Sequence, residues 1–184
     1  MKSTLAILTL LSLVFLSSCG EWRPSFGQIT NAAPQGVPDA VVYNFKTDYV
    51  TLNFKKWELL STEARVFTRD NRFLLSNIFL ESYDPAKKVV NRVQSGYGIL
   101  HNDTKNVELS NEVVIMSSNG TTVTGEYFYW DNATEKFTSP YYVKVVKGNG
   151  DTVAGIGFIG DRRLDKYVFK QSVGGVIRSM KTPN

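Results

Sequence analysis

Asn119-Gly120-Thr121-Thr122-Val123-Thr124-Gly125 and Asn149-Gly150-Asp151-Thr152-Val153-Ala154-Gly155 are one pattern written twice, 30 residues apart and without a gap. The first follows Val113-Val114-Ile115-Met116, and the second follows Tyr141-Tyr142-Val143-Lys144-Val145-Val146. Further upstream, Tyr97-Gly98-Ile99-Leu100 stands where Tyr127-Phe128-Tyr129-Trp130 stands one copy later. Runs of β-branched and aromatic residues broken by Asn-Gly and Asn-Asp clusters read as strands and turns. A strand–turn–strand unit at a fixed period stacks on its neighbours, so the repeat predicts a stacked β architecture.

The same grammar extends outward. Val41–Phe45, Tyr49–Phe54, Lys56–Val66, Phe73–Leu75, Ile78–Leu80 and Val89–Leu100 are candidate strands before the repeat, and Ile156–Ile159 and Tyr167–Phe169 follow it. Helical periodicity is almost absent from Val41 onward. The expectation is an all-β domain over residues 41–170: a twisted antiparallel β-jelly-roll or sandwich, open at its ends. Residues 171–184 are a tail or an edge strand.

Alternation predicts facing. Lys144 lies out of phase with Tyr141, Val143 and Val145, so these three point inward, and a shift of 30 residues puts Val113 and Ile115 inward as well. Thr122, Thr124 and Glu126 place Val123, Tyr127 and Tyr129 on the inner face, with Val93, Tyr97 and Ile99 as their equivalents one copy earlier. Gly125 and Gly155 fall on that face too, and a glycine inside a strand marks a bend, a bulge or a close approach. The outward set, which includes Val114, Met116, Phe128 and Trp130, is more apolar than a solvated face requires.

The N-terminus reads as an address. Lys2 precedes the apolar run Leu5–Leu16, too short to span a bilayer, and Leu16-Ser17-Ser18-Cys19-Gly20 resembles a bacterial lipobox. Residues 1–18 are then a lipoprotein signal peptide, and Cys19, the single cysteine, is the lipidated residue that anchors the chain to a membrane. Residues 19–40, with Pro24, Pro34 and Pro38, read as a tether.

The net charge of +4 is spread without a basic run, which argues against nucleic acid as a partner. His101 is the only histidine, so a conventional zinc site and a catalytic triad both lack their ligands. It sits beside a turn. Asp131, Glu135, Asp151, Asp161 and Asp165 fall in turns, where aspartate supplies local hydrogen bonds. The residues point to no catalytic centre, no metal and no cofactor.

The order Trp57-Glu58-Leu59, Phe73-Leu74-Leu75, Tyr83-Asp84, Gly96-Tyr97-Gly98, Leu109-Ser110-Asn111-Glu112-Val113 and Lys147-Gly148-Asn149-Gly150-Asp151 resembles the LptC family. So does Thr152-Val153-Ala154-Gly155-Ile156-Gly157-Phe158, which follows without a gap. The resemblance covers roughly residues 43–170. It implies a jelly roll related to the OstA-type domains of LptA, and a non-enzymatic carrier that accepts lipopolysaccharide from an inner-membrane ABC transporter. The cargo then passes to a following LptA-like jelly roll, with permease and LptA-like partners engaged through edge strands. On that reading Val93, Tyr97, Ile99, Val113, Ile115, Val123, Tyr127, Tyr129, Val143 and Val145 line an acyl-chain groove. The alternatives are an LptA-like bridge, or a structural or adhesive envelope lipoprotein whose core is filled. The expected place is the periplasm, anchored to the inner membrane by lipid, with the outer membrane as the alternative. The lipobox departs from the better-known members, which are held by a transmembrane helix.

Overall fold

The computed structural model describes residues 36–52 and 54–176. The signal segment, Cys19, most of the tether and residues 177–184 lie outside the described residues. Nine strands follow one another: β1 (Ala40–Thr51), β2 (Phe54–Phe67), β3 (Arg72–Tyr83), β4 (Val89–His101), β5 (Val107–Ser117), β6 (Thr122–Asp131), β7 (Lys136–Val146), β8 (Thr152–Asp161) and β9 (Tyr167–Val176). Each pairs antiparallel with the next, in one sheet of order β1 to β9, and no helix forms among the described residues. Among those residues β1 and β9 make no contact with each other, so the sheet is open and has two free edges.

Two pairs of expected short strands are single long ones. Val41–Phe45 and Tyr49–Phe54 fall largely within β1, and Phe73–Leu75 and Ile78–Leu80 within β3. Each long strand carries one asparagine in the left-handed region at its middle, Asn44 (φ 51°) and Asn77 (φ 51°). Asparagine tolerates that conformation better than most residues. Lys46-Thr47-Asp48 is edge strand rather than turn, with Lys46 and Asp48 reaching charged groups on β2.

These asparagines belong to a line of irregularities that crosses the whole sheet. Pairing shifts between Gln94 and Tyr97, Ser110 and Val113, Gly125 and Tyr129, and Ser139 and Tyr142. Asn111 (φ 67°), Glu112 (φ 55°) and Gly157 (φ 74°) are left-handed on the same line. An extra residue in one strand bends it and moves every later side chain to the opposite face. When all strands bend along one line, the sheet creases.

Serines hold the crease. Ser61 Oγ donates to Ser76 O (2.9 Å) and lies against Glu63 O, and Ser95 Oγ is placed likewise between Ser110 O (2.8 Å) and Tyr97 O. Ser95 Oγ also accepts from Ser110 N–H (3.1 Å), and Ser139 Oγ from Tyr141 N–H (3.3 Å). All three serines are buried. They satisfy backbone groups that the broken ladder leaves without a strand partner.

The crease divides the sheet into two leaves that face each other. The first adjoins the turns at 84–88, 118–121 and 147–151, and the second those at 68–71, 102–106, 132–135 and 162–166. Phe45 of the first leaf meets Phe73 of the second edge-on at 5.6 Å. A Cβ on Gly98 of the second leaf would lie 2.6 Å from Ile78 Cδ1 of the first, so this glycine permits the close approach at the crease. The repeated turns match in detail. Gly120 (φ 86°) and Gly150 (φ 88°) take the left-handed position, and Asn119 and Asn149 each accept a backbone N–H two residues on.

Candidate functional site

The space between the leaves is the first candidate. Leu59, Leu80, Val93, Val113, Ile115, Val123, Val143 and Val145 project into it from the first leaf, and Ala64, Leu75, Leu100, Val107, Leu109, Phe128, Trp130, Phe137 and Phe158 from the second, in one continuous cluster. The aromatic side of the second leaf is interlocked: Trp130 packs on Phe137 at 4.6 Å, and Phe128 meets Phe158 edge-on at 5.9 Å. Phe158 also contacts Tyr167 and Phe169 of β9.

Six of the ten residues expected to line a groove, Val93, Val113, Ile115, Val123, Val143 and Val145, lie here and are essentially inaccessible. The other four, Tyr97, Ile99, Tyr127 and Tyr129, lie on the outer face of the second leaf. Unbroken alternation through β4 and β6 predicts them inside, whereas the phase changes at the crease: the buried positions run Val93, Ser95 and then Gly98, Leu100 in β4, and Val123 and then Phe128, Trp130 in β6. Leu100, Phe128 and Trp130 take the inner positions instead. Tyr141, expected inward on β7, is exposed and meets the Tyr127 ring edge-on at 5.9 Å. The surplus of apolar residues in the outward set was the signal of this inversion.

A small void lies between the leaves, toward the seam end of the first leaf. It measures about 20 Å³, room for roughly one water, and is lined by Trp57, Leu80, Ser82, Asn91 and Val93 of the first leaf and Val107, Leu109, Trp130 and Phe137 of the second. The interior is filled in this conformation.

Opposite the crease, the free ends of the leaves meet in a polar seam. Lys56 Nζ bonds Glu135 Oε1 (2.8 Å), with Arg162 3.6 Å from the same oxygen. Burial opposes ionisation of Glu135, but the Lys56 hydrogen bond and the Arg162 charge win and hold its pKa below the usual range. The turn at 162–166 bonds across to the first leaf. Arg162 donates to Tyr83 O, Asn91 Nδ2 to Arg162 O, Ser117 Oγ to Arg163 O (2.7 Å), and Asn119 Nδ2 to both Arg163 O (3.0 Å) and Asp165 Oδ1 (2.8 Å). Between the exposed Arg163 and Asp165, Leu164 turns inward, 1 % exposed at φ 56°, and joins the core beside Phe158 and Gly160. The seam works as a latch with an apolar tooth. Sequence reading treated this stretch as a polar turn, and the lone Leu164 among charges was the available signal.

A second concavity, of about 520 Å³, lies on the outer face over Leu74, Tyr97, Ile99, Glu108 and Tyr127, with Arg65 on its rim. Its carboxylate is buried and fully engaged: Tyr127 Oη donates to Glu108 Oε2 (3.2 Å), and His101 Nε2 lies 2.8 Å from Oε1. Burial and then the Glu108 charge push the Tyr127 hydroxyl pKa upward. His101, expected as a surface turn residue, is half-buried against this carboxylate. A single carboxylate here does not make the acid–base pair that glycoside hydrolysis needs. Asp131 and Asp161 accept backbone N–H groups of their own turns, as turn chemistry predicts. Among the described residues no cluster of three or more potential metal ligands occurs.

The two sheet edges are the remaining feature able to recognise another molecule. Tyr43 and Val50 on β1, and Val168, Val173 and Val176 on β9, are exposed beside unpaired backbone groups. A free edge of that kind accepts a strand from another chain. The family model described as lipopolysaccharide-assembly, LptC-related, matches residues 4–178. No curated protein matches the sequence.

Proposed function

The chain belongs to the LptC family, whose members serve lipopolysaccharide transport, and from that premise we propose that it is a non-enzymatic carrier of the lipid's acyl chains between its two leaves. The observation that carries the reading is a sheet creased into facing apolar leaves but never closed into a barrel. A closed barrel or a two-sheet sandwich with short protected edges has no direction in which to widen. A creased sheet can widen about its crease while every ladder hydrogen bond stays made.

The filled interior is then the empty state of the carrier. Parting the leaves in water exposes apolar surface, at roughly 25 cal/mol per Å². Parting them around an acyl chain replaces leaf–leaf contact by leaf–chain contact, and the chain itself gains about 0.8 kcal/mol per buried CH₂. Cargo therefore shifts the closed-to-open equilibrium through its own differential affinity. Val93, Val113, Ile115, Val123, Val143 and Val145, with Phe128 and Trp130 facing them, are the lining. Tyr97, Ile99, Tyr127 and Tyr129 have no place in it.

The edges β1 and β9 pair with neighbouring jelly rolls of the export path, an ABC-transporter permease complex on one side and an LptA-like protein on the other, which extends the apolar layer from one molecule to the next. Cys19 carries the lipid that holds the domain at the periplasmic face of the inner membrane, and the tether spans the gap. A second reading, a structural envelope lipoprotein, draws on the same filled interior.

Photo-crosslinking residues at Ile115 and Phe128, with Tyr97 as the outer-face control, separate the two. The carrier predicts lipopolysaccharide adducts at the two inner positions and none at Tyr97 in living cells. Adducts at none of the three positions, from protein that is folded and exported, defeat the carrier and leave the structural reading.

A further inference from the structure

Among the described residues, three buried polar side-chain atoms have no hydrogen-bond partner: Trp57 Nε1, Ser82 Oγ and Asn91 Oδ1. Their residues are 4 %, 7 % and 1 % exposed. Buried polar groups are nearly always paired, so three orphans together call for a reason. They are not scattered. Trp57 pairs in register with Ser82, and Ser82 with Asn91, so the three stand side by side across β2, β3 and β4, about 5 Å from strand to strand. All three line the small void between the leaves.

The row has a defined depth. One inward-facing step deeper on each strand stand Leu59, Leu80 and Val93, wholly apolar. One step outward the strands end at the 84–88 turn and the seam. The next residue along the row is Ser117, paired with Asn91. Here the remaining donors are in use, Asn91 Nδ2 bonding Arg162 O and Ser117 Oγ bonding Arg163 O. Two backbone carbonyls of the 162–166 turn thus cover one half of a polar row whose other half is unpartnered.

We propose that Trp57, Ser82 and Asn91, with Ser117 beside them, form a polar binding row for the ester, amide and hydroxyl groups through which acyl chains join the sugar of a glycolipid. This deepens the carrier reading and rests on it. The order of chemistry matches: apolar lining, then neutral donors and acceptors, then the wet mouth, as an acylated sugar presents chains, then carbonyl linkages, then the ring. Trp57 supplies a donor, Ser82 either role, and Asn91 an acceptor. The row holds no cation and includes the acceptor Asn91 Oδ1, so it suits neutral linkages better than a phosphate, and a bare hydrocarbon would leave all three atoms unpaired. In the closed molecule the Arg162 and Arg163 carbonyls stand in for two linkage carbonyls of the cargo, and binding exchanges one set for the other.

The test uses the full chain, purified lipid A, and a Trp57→Phe/Ser82→Ala double variant that removes two polar atoms and, at Trp57, part of the indole ring. Affinity is read by calorimetry and stability by the unfolding temperature without lipid. The row predicts about a tenfold weaker affinity for lipid A, while the space left by the indole lowers the lipid-free unfolding temperature on either account. Unchanged affinity identifies the orphans as the cage of a structural water. That overturns the row while wild-type binding upholds the carrier. If wild-type protein binds no lipid A, carrier and row fall together. Should the double variant fail to fold, Ser82→Ala alone decides: roughly threefold weaker affinity supports the row, and equal affinity removes it.

Discussion

Leu164 is the sharpest place to test how the leaves are held. Its side chain is 1 % exposed and belongs to the core, yet its neighbours Arg163 and Asp165 are exposed and its backbone is left-handed at φ 56°. Leu164→Ala removes a buried isobutyl group at the rim of the core, where neighbours can partly collapse. The low end of the usual range applies, about 2–3 kcal/mol. For a domain of this size that lowers the unfolding temperature by roughly 5–10 °C. Leu164→Gly loses the same side chain but sheds the left-handed penalty, about 1 kcal/mol, against glycine's greater freedom when unfolded. Alanine and glycine should therefore come out within about 0.5 kcal/mol of each other, whereas at an ordinary right-handed position glycine is the worse by up to about 1 kcal/mol. Thermal unfolding followed by circular dichroism measures both. Native-state hydrogen exchange adds the location, with faster exchange expected at 162–166 and at the amides around Ser117. A loss under about 1 kcal/mol for Leu164→Ala, or glycine far worse than alanine, would refute the anchoring of the seam by this side chain.

Two further outcomes follow from the crease and from the β1 edge. Ser95→Ala removes a hydroxyl bonded to Tyr97 O, Ser110 O and Ser110 N–H, leaving buried backbone groups without it, so a destabilisation of about 1–3 kcal/mol is expected in urea unfolding, and a neutral result would show that the crease needs no serine. Glu58 is hydrogen-bonded by Lys55 and then Lys46 (3.0 Å), which lowers its pKa from 4.5 to about 2. Its folded pKa is the depressed one, so its contribution is complete above about pH 4.5 and is lost as pH falls toward 2. Glu58→Gln should lose less unfolding temperature than wild type across that window, and parallel curves would show the pair to be screened by solvent.

The strands and their antiparallel order were legible because they rest on local pattern: β-branched and aromatic runs, Asn-Gly turns, and the 30-residue echo that returns as the paired turns at Gly120 and Gly150. Facing was legible only as far as the first bulge. From Val113, Val123 or Val143 toward the turns of the first leaf, simple alternation holds. Past Ser95 in β4 and Gly125 in β6 it inverts, and Tyr97, Ile99, Tyr127 and Tyr129 change sides, whereas β5 and β7 keep one phase on both sides of the crease (Val107, Leu109, Val113 and Ile115; Phe137, Ser139, Val143 and Val145). Nothing local announces such an inversion unambiguously, because a glycine or asparagine in a strand is equally a bend, a bulge or a tight contact. What the crease positions share is a mid-strand serine followed by glycine, asparagine or proline, as in Ser95-Gly96, Ser110-Asn111 and Ser139-Pro140. The seam was illegible for a different reason. Contacts such as Lys56 with Glu135, or Ser117 with Arg163, join residues 79 and 46 positions apart and depend on the crease angle rather than on any local sequence.

On the proposed carrier reading, the crease lets one chain be both tightly packed and able to open. In a barrel, widening the interior requires ladder hydrogen bonds to break or strands to slide, and each costs free energy whether or not cargo is present. Here most of the ladder shifts fall along one line of bulges, and among the described residues the hydrogen bonds that span the leaves lie in the seam. Those are few and polar, and most are exposed or half-exposed, so their net worth in water is small individually. Leu164 adds an apolar term of about 2–3 kcal/mol to the same boundary. The resistance to opening is thus concentrated in the turn at 162–166 and its partners Tyr83, Asn91, Ser117 and Asn119, while the attraction for a chain is spread over the facing leaves. Separating resistance from attraction lets the empty domain stay dry and the loaded one stay folded, since neither state gives up a strand pairing.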